Sequence, residues 1–179
     1  MAESKILQPF ILSWEGGYVN DPADKGGATN KGVTIGTFRS VFGKEKTIKD
    51  LKNITDEQWL TIFKKYYWDK WKADEIQDQS VANMLVDWYW GSGAYGIRIP
   101  QYIVGVKQDG VVGPKTLAAL NNYKGGQKAL FDALWKERAN FYGRIAKGTN
   151  AKFLKGWLNR LRGHKYGKLV CNGGREIVF

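Results

Sequence analysis

The sequence predicts a mainly α-helical fold with at most a small β-hairpin, in which a helical C-terminal region packs on an N-terminal region. Apolar residues recur at the i, i+3, i+4, i+7 spacing of helices, which predicts six or more of them. Start and stop signals mark the ends of several predicted helices. They are a Thr-x-x-Gln capping box, a proline at a first helical position, and paired glycines after a last turn. No repeat or Ser/Pro-rich linker separates the two halves, so we expect them to pack together.

The first predicted helix runs from about Pro9 to Glu15. Proline is tolerated in a first turn, and the glycines at 16 and 17 supply a stop, so Glu15 falls on the last turn. Residues 17–36 are rich in Gly, Asn, Asp and Pro, which predicts a long shaped loop with a short hairpin near Val33 to Ile35. A loop of this length is usually either functional or disordered.

Two strongly patterned helices follow in the first half. A capping box at Thr55–Gln58 opens the first of them. The apolar faces of the two helices are Trp59, Ile62, Phe63 and Tyr66, and then Val81, Met84, Leu85 and Trp88. Gly91-Ser92-Gly93 ends the second helix, and we place a boundary there between a region 1–94 and a region 95–179.

The second half is also predicted to be helical. Helices are expected from Tyr95 to about Val104, from Pro114, from about Gln127 to Ala146, and from near Asn150 onwards. Pro114 follows an Asp-Gly turn and occupies a first helical position, where its fixed φ angle suits a helix.

The composition is that of a globular protein. Apolar residues make up 43% of the 179 residues, aromatic residues 14% and charged residues 25%, which excludes the disordered and fibrous classes. The single cysteine, Cys171, excludes an intramolecular disulfide, and with one histidine no Cys/His zinc site can form. We therefore expect no metal and no cofactor. His164 lies between Gly163 and Lys165 and is predicted to be at the surface.

The positive charge of the chain is concentrated in its second half. The formal net charge is +11, and residues 1–94 carry 12 Lys/Arg and 13 Asp/Glu, whereas residues 95–179 carry 16 and 4. Such a basic half attracts an extended polyanion, which could be nucleic acid, an anionic membrane face or a cell-wall polymer. No helix-turn-helix or RNA-binding signature is present, so we expect no nucleic-acid partner.

Glu15 is the strongest candidate for acid–base chemistry. A carboxyl on the last turn of a helix meets the negative end of the helix dipole, and we expect Trp14 and Tyr18 to exclude water from it. Both effects disfavour the charged form, and a carboxylic acid that keeps its proton near neutral pH can protonate a sugar leaving-group oxygen. The alternative is an exposed helix-end glutamate, and the residues that follow argue against it.

Asp21, Asp24, Thr29 and Thr34 follow Glu15 within one glycine-rich segment. Glycoside cleavage needs a second group across the bond, and a carboxylate supplies it either as nucleophile or as base for water. A threonine can orient that water. Asp21 and Asp24 are equally compatible with turn capping, and either can be the second carboxylate. The catalytic candidates are Glu15, Asp24 and Thr29.

Residues Glu15 to Thr29 read EGGYVNDPADKGGAT, which resembles the EGGY signature of the family 108 glycoside hydrolases, N-acetylmuramidases of phages and bacteria. The resemblance continues through residues 32–34 and extends more loosely over residues 8 to about 94. It implies a lysozyme-like helical fold with Glu15 as the essential acid. The spacing of Glu15, Asp24 and Thr29 is also similar to the Glu, Asp, Thr arrangement of phage-type lysozymes, although the threonine lies one residue short.

Residues 95–179 resemble the predicted peptidoglycan-binding region that accompanies this family. The segment QDGVVGPKTL at 108–117 carries the resemblance, because it is similar to the D-G-x-x-G-P-x-T turn of wall-binding modules. The same segment is a good helix start, so we expect most of its residues to be structural. Whether the region binds glycan or completes the body of the enzyme stays open. The implied partners are peptidoglycan glycan strands and an anionic cell-wall surface.

Eight tryptophans offer both core and ligand-stacking candidates. Trp59 and Trp157 lie at helical spacing with aliphatic partners and are expected in the core. Trp68, Trp71, Trp88 and Trp90 flank predicted helix ends, where an aromatic face can stack on a pyranose ring, although core packing is the alternative for each. The substrate-binding candidates are Tyr18, Asn20, Asp21, Thr34, Trp68 and Trp88.

The sequence is therefore interpreted as a muramidase that hydrolyses the β-1,4 bond between N-acetylmuramic acid and N-acetylglucosamine without metal or cofactor. A lytic transglycosylase, which can run on one glutamate, and a non-catalytic wall-binding or secretion-associated protein are the alternatives. The first residues do not resemble a secretory signal, and no apolar run could span a membrane. We expect synthesis in the cytoplasm and action at the cell wall or periplasm after release.

Overall fold

The computed structural model describes residues 1–179 and contains nine α-helices and two small antiparallel sheets. The α-helices are α1 (Ser4–Trp14), α2 (Ile35–Phe42), α3 (Ile48–Lys52), α4 (Asp56–Phe63), α5 (Gln79–Ser92), α6 (Tyr95–Ile103), α7 (Pro114–Asn121), α8 (Gly126–Ile145) and α9 (Leu154–Arg162). The strands are β1 (Thr29–Asn30), β2 (Val33–Thr34), β3 (His164–Lys165), β4 (Lys168–Val170) and β5 (Glu176–Val178). A π-helix spans Lys64–Trp68, and 3₁₀-helices span Ala73–Glu75 and Gly148–Phe153. The predicted mainly helical fold is confirmed, and no helix combines the length and apolar character that a membrane crossing requires.

Side-chain caps fix the starts of the helices that follow the first loop. The capping box predicted at Thr55 is confirmed: Gln58 N donates to Thr55 Oγ1 over 3.1 Å, and Thr55 N donates to Gln58 Oε1 over 3.1 Å. Thr47 forms a second capping box at α3, and Thr34 and Asp78 cap α2 and α5. These bonds satisfy backbone N–H groups that a helix start otherwise leaves unpaired.

Helix α1 begins earlier than the sequence predicts. It starts at Ser4, so Pro9 lies inside the helix rather than in its first turn. An interior proline costs about 3 kcal/mol. Leu7, Phe10 and Ile11 on the same helix are fully buried, and each such side chain stabilises the fold by roughly 1.5–3 kcal/mol. The burial of this face therefore outweighs the hydrogen bond that Pro9 cannot make.

The β structure exceeds the predicted hairpin. The hairpin itself is β1–β2, slightly earlier in the chain than predicted, with Thr29 opposite Thr34 and Asn30 opposite Val33. A three-stranded antiparallel sheet, β3–β4–β5, follows α9 and was not predicted. Its strands are only two or three residues long, too short to show an alternating pattern.

A single core joins the two halves of the chain. One cluster of 34 buried apolar residues includes side chains from both halves. Helix α5 lies at its centre, because every residue from Ser80 to Trp88 is buried, and it packs against α6, α8 and β3. A helix that is buried all round belongs to the interior of a domain. The expected packing of the C-terminal region on the N-terminal region is thus observed.

Candidate active site

Glu15 lies at the wall of a cleft of about 520 Å³ between the two halves of the chain. The N-terminal half lines it with Trp14, Glu15, Gly32, Tyr67, Trp90, Gly91 and Ser92, and the C-terminal half with Arg138, Tyr142, Ile145, Gly156, Trp157 and Arg160. Glu15 is the only carboxylic residue of this lining. The volume and the mixture of aromatic and charged groups are those of a small-molecule or oligomer-binding site.

The two oxygens of the Glu15 carboxyl have different surroundings. Oε1 accepts a hydrogen bond from Trp90 Nε1 over 2.6 Å and another from Arg160 Nη1 over 3.2 Å. Oε2 accepts none from the protein and lies beside Gly32. The side chain is 18% exposed, so one oxygen is held by the protein while the other can meet a ligand.

The groups around Glu15 differ from those that the sequence predicts. Trp14 lines the cleft, but Tyr18 does not, and the Lys52 ammonium lies 4.4 Å from the centre of the Tyr18 ring. The contacts to the carboxyl come instead from Trp90 and Arg160. That Glu15 keeps its proton near neutral pH stays a prediction.

The turn of the β1–β2 hairpin reaches the carboxyl. Lys31 and Gly32 have φ angles of 50° and 78°, as a two-residue type I′ turn requires. Trp59 Nε1 donates to the Lys31 carbonyl oxygen over 2.9 Å and so anchors the turn. A Cβ atom at Gly32 would lie 2.6 Å from Trp90 Cζ2 and 3.0 Å from Glu15 Oε2. Only glycine therefore fits between the carboxyl and the indole.

Trp90 is held in place by an aromatic wall. Its ring centroid lies 4.5 Å from that of Tyr67, 5.4 Å from that of Trp59 and 5.9 Å from that of Phe63. These contacts fix the plane of the indole so that its N–H meets Glu15. Burial, together with the charges of Tyr89 and Glu15, raises the pKa of Tyr67, so this phenol stays neutral.

Behind the cleft, Asp87 of α5 joins three basic side chains of the C-terminal half. Oδ1 accepts from Arg160 Nη2 over 2.6 Å and from Arg160 Nε over 3.2 Å. Oδ2 accepts from Arg138 Nη2 over 2.8 Å and lies 2.9 Å from His164 Nε2. Burial raises the pKa of Asp87, but Arg160, Arg138 and the His164 hydrogen bond outweigh it and hold that pKa well below its usual range.

The prediction that His164 lies at the surface is wrong. Its ring is buried, with its centroid 4.6 Å from that of Phe10, and Asp87 lies on its polar edge. Burial lowers the pKa of His164 and outweighs the attraction of Asp87, so the ring is neutral in the fold. Because an ionised carboxylate only accepts, Nε2 of this neutral ring is the donor.

Arg160 connects the buried Asp87 to Glu15. Burial lowers the pKa of Arg160, but Asp87 and Glu15 together more than compensate and raise it above the ordinary value. The guanidinium is therefore a permanent positive charge. It lies between the carboxylate of Asp87 and the carboxyl of Glu15 and donates hydrogen bonds to both.

The prediction that Trp68 and Trp88 bind substrate is wrong. Trp68 is fully buried, and its Nε1 donates to Asp74 Oδ1 over 2.7 Å. Trp88 is fully buried, with its ring centroid 6.0 Å from that of Phe141. The large apolar area of each ring is used in the core, so neither ring can stack on a sugar. Trp157, expected in the core, is only partly buried and lines the cleft.

The other predicted site residues lie on the loop and hairpin that follow Glu15, outside the lining of the cleft. They are Tyr18, Asn20, Asp21, Asp24, Thr29 and Thr34. Asp21 Oδ1 accepts from Ala23 N over 2.9 Å and Asp24 Oδ1 from Gly26 N over 2.8 Å, so both carboxylates cap turns. Thr29 pairs with Thr34 in the hairpin. Their catalytic or binding roles stay predictions.

The Asp-Gly turn of the C-terminal half uses its own carboxylate internally. The buried side chain of Gln101 donates to Asp109 Oδ1 over 3.1 Å and accepts from Gly110 N over 2.9 Å. Backbone donation from Val111 and the Gln101 bond lower the pKa of Asp109. These contacts agree with the structural role expected for most of this segment.

Sequence reasoning missed Asp87, Arg138 and Arg160 as parts of the site. Asp87 carries a detectable signal, because a carboxylate on an otherwise apolar helix needs a charged partner when it is buried. Arg160 carries no such local signal, since it meets a residue 145 positions earlier in the chain.

Each half of the chain matches a known protein family. Residues 8–93 match the family model described as Glycosyl hydrolase 108, and residues 95–162 match the model described as Predicted Peptidoglycan domain. Among solved structures, SagA of Brucella abortus is similar with 33% sequence identity and a TM-score of 0.71, over 89% of this chain and 89% of that chain. A search of curated proteins gave no match.

Proposed function

The chain belongs to the glycosyl hydrolase 108 family, and we propose that it is a muramidase that hydrolyses the β-1,4 bond between N-acetylmuramic acid and N-acetylglucosamine in peptidoglycan. The glycosyl hydrolase domain is followed by a predicted peptidoglycan domain, which supports peptidoglycan as the substrate. The observation that carries the proposal is the position of Glu15, the only carboxylic residue in a cleft that both halves of the chain line.

Glu15 is the general acid in this proposal. Its Oε2 donates a proton to the glycosidic oxygen while the bond from that oxygen to the anomeric carbon breaks, and the bonding electron pair stays on the oxygen. Negative charge then develops on the carboxyl, where the N–H donors of Trp90 and Arg160 already meet Oε1. Donors that are in place before charge develops stabilise the transition state without reorganisation.

The glycan is held by the aromatic walls of the cleft. Trp90 and Tyr67 face it from the N-terminal half, and Tyr142 and Trp157 face it from the C-terminal half. Aromatic faces suit the apolar faces of pyranose rings. The excess of basic residues in the C-terminal half favours attachment to an anionic wall. The enzyme would reach the wall after release from the cytoplasm.

Asp24 is proposed as the second carboxylate, acting as nucleophile or as base for water, with Thr29 orienting that water. It is exposed on the loop that leads from Glu15 to the hairpin. Asp21 on the same loop gives a matched comparison, because both carboxylates cap a turn in the same way. Asp24→Asn is expected to lower the rate of bond cleavage by roughly 100-fold or more, and Asp21→Asn by much less. The reverse result would assign the role to Asp21.

A lytic transglycosylase is the second candidate, because only one carboxyl lines the cleft. In that reaction the sugar's own hydroxyl replaces water and an anhydro product forms. Mass spectrometry of digested peptidoglycan separates the two reactions, since only hydrolysis adds one water to the products for each bond cleaved. If anhydro sugars are the main products, the enzyme is a lytic transglycosylase and the proposed hydrolysis is wrong.

The proposed role of Glu15 is tested with Glu15→Gln, which keeps the shape of the side chain but cannot donate an acidic proton. Removal of a general acid lowers the rate by roughly 10²- to 10⁴-fold. Glu75→Gln is the matched control, because Glu75 is exposed and its side chain makes no hydrogen bond. Turbidity and reducing ends of purified walls are followed. Equal activity of Glu15→Gln and wild type contradicts the proposal, and inactive wild type supports a non-catalytic wall-binding protein.

A further inference from the structure

The buried carboxylate of Asp87 is neutralised entirely from the other half of the chain. It belongs to α5 in the N-terminal half, and its side chain has no exposed area. Its three partners are Arg138 of α8, Arg160 of α9 and His164 of β3. A buried charge without partners is strongly destabilising, so these contacts fix α8, α9 and β3 against α5.

Arg160 is the one member of this cluster that also contacts Glu15. Its Nε and Nη2 atoms donate hydrogen bonds to Asp87 Oδ1, and the remaining Nη1 donates to Glu15 Oε1 over 3.2 Å. The side chain is 17% exposed, whereas Arg138 is 1% exposed. Because a guanidinium is planar and rigid, holding two of its nitrogens on Asp87 also fixes the direction of the third.

The contacts to Glu15 decide which of its oxygens can carry a proton. An oxygen of a carboxyl group has two lone pairs, and Oε1 already accepts from both Trp90 Nε1 and Arg160 Nη1. A proton on Oε1 would displace one of these donors. Oε2, beside Gly32, accepts no hydrogen bond from the protein and has no such competition.

We infer that Arg160 is a positioning residue for Glu15: anchored on Asp87, it fixes Oε1 of the catalytic carboxyl and reserves Oε2 for the proton that passes to the substrate. This inference rests on the proposed function of Glu15. It assigns a definite task to the region similar to a peptidoglycan domain, since that region supplies Arg160 to the catalytic centre. The C-terminal half thereby takes part in the chemistry as well as in wall attachment.

The same contact has an electrostatic consequence. A guanidinium at hydrogen-bond distance stabilises the carboxylate form of its partner. Other groups that face Glu15 are the neutral Tyr67 and Trp90, and behind Arg160 lie Asp87 and Arg138. Without Arg160, the positive charge nearest to Glu15 is gone while the negative charge of Asp87 remains. The proton would then stay on Glu15 up to a higher pH.

The first experiment compares Arg160→Gln with Arg162→Gln in steady-state hydrolysis of soluble glycan strands. Arg162 lies on the same helix, is exposed and bonds only to Asn159, so it controls for the loss of one positive charge near an anionic substrate. We expect Arg160→Gln to lower kcat at the pH plateau by about 10- to 100-fold, because misplacement of a catalytic group by about 1 Å costs roughly 100-fold. KM should change by less than about threefold, since Arg160 fixes Glu15 rather than the substrate.

The pH profile separates positioning from a merely structural role. In Arg160→Gln the alkaline limb of kcat should move upward by about 1–3 pH units, the size of effect that one neighbouring charge exerts on a carboxyl. Arg162→Gln should keep the wild-type limb. Arg160→Lys retains a charge for Asp87 but cannot donate to both carboxylates in fork geometry, so its limb should lie between those of wild type and Arg160→Gln.

An independent readout uses the indole N–H of Trp90, which lies 2.6 Å from Glu15 Oε1. Its resonance in ¹⁵N–¹H spectra, assigned by its loss in Trp90→Phe, should follow the titration of Glu15. The midpoint should rise in Arg160→Lys and Arg160→Gln but not in Arg162→Gln. If Arg160→Gln does not fold, the pH profile and the Trp90 resonance of Arg160→Lys test the inference instead.

The outcomes distinguish this inference from the proposed function. A fall in kcat with an unchanged alkaline limb and unchanged Trp90 midpoint would mean a structural role only and would overturn the inference. If Glu15→Gln is inactive while both Arg160 variants behave like wild type, the proposed function stands and only this inference falls. Full activity of Glu15→Gln would overturn both.

Discussion

Gly32 offers the sharpest test of how the cleft is built. Its φ angle of 78° is strained for any residue with a side chain, which costs roughly 1–2 kcal/mol. In Gly32→Ala the new Cβ would also lie 2.6 Å from Trp90 Cζ2 and 3.0 Å from Glu15 Oε2. Real contacts of this kind are longer, so the hairpin, the indole or the carboxyl must shift by an appreciable fraction of an ångström.

The expected loss of activity is larger than the expected loss of stability. A displacement of about 1 Å at a catalytic group lowers the rate by roughly 100-fold. The backbone strain of about 1–2 kcal/mol lowers the unfolding temperature by roughly 2–8 °C for a protein of this size. Initial rates of reducing-end release and thermal unfolding followed by circular dichroism measure the two effects on the same samples.

Gly105→Ala is the matched control. Gly105 has a φ angle of 76°, but a Cβ there meets nothing within 4 Å. The control therefore has the same backbone strain without the collision, and it should lose similar stability while keeping its activity. If Gly32→Ala is as active as Gly105→Ala, the close approach of the hairpin to Glu15 has no catalytic importance and the described geometry of the cleft is wrong.

Three further predictions follow from the same contacts. Trp90→Phe keeps the aromatic packing but removes the N–H donor to Glu15, and kcat should fall by about 10- to 100-fold, the value of a hydrogen bond to a charged group. His164 has a folded-state pKa below its ordinary 6.5, so the unfolded chain takes up a proton that the fold does not, and the unfolding temperature should decrease as the pH falls below 6.5. His164→Gln should flatten this dependence, and an equally steep decrease would contradict the assignment. Binding to isolated walls should weaken when ionic strength rises from about 0.01 to about 0.15 M, which shortens the screening length from about 30 to about 8 Å, and salt-independent sedimentation with walls would exclude charge steering.

Local signals allowed part of the fold to be predicted from the sequence. Helix α4 was recognised from the Thr55 capping box and α5 from its apolar spacing, because both signals lie within a few residues of each other. Helices α2 and α3 are short and were missed, although each has a threonine cap. The C-terminal sheet was missed because its strands are too short to form a pattern.

The candidate site was predictable only where its residues are close in sequence. Glu15 was found from its place at a helix end and from the glycine-rich loop that follows. A tryptophan at a helix end, such as Trp68 or Trp88, can face either a core or a ligand, and only the tertiary fold decides between them. Trp90 and Arg160 meet Glu15 across 75 and 145 positions, and no local pattern encodes such contacts.

The two family regions meet between residues 93 and 95, but the charged side chains of the site form contacts across that boundary. Asp87 lies before it, and the two arginines that neutralise Asp87 and the histidine that donates to it lie after it. No side chain of the N-terminal region hydrogen-bonds to Asp87, so this buried carboxylate is compensated only because the two regions pack together. Because Arg160 links that carboxylate to Glu15, the stability of the joined fold and the geometry of the proposed acid depend on the same guanidinium. The C-terminal region is thus part of the same packed body as the proposed acid.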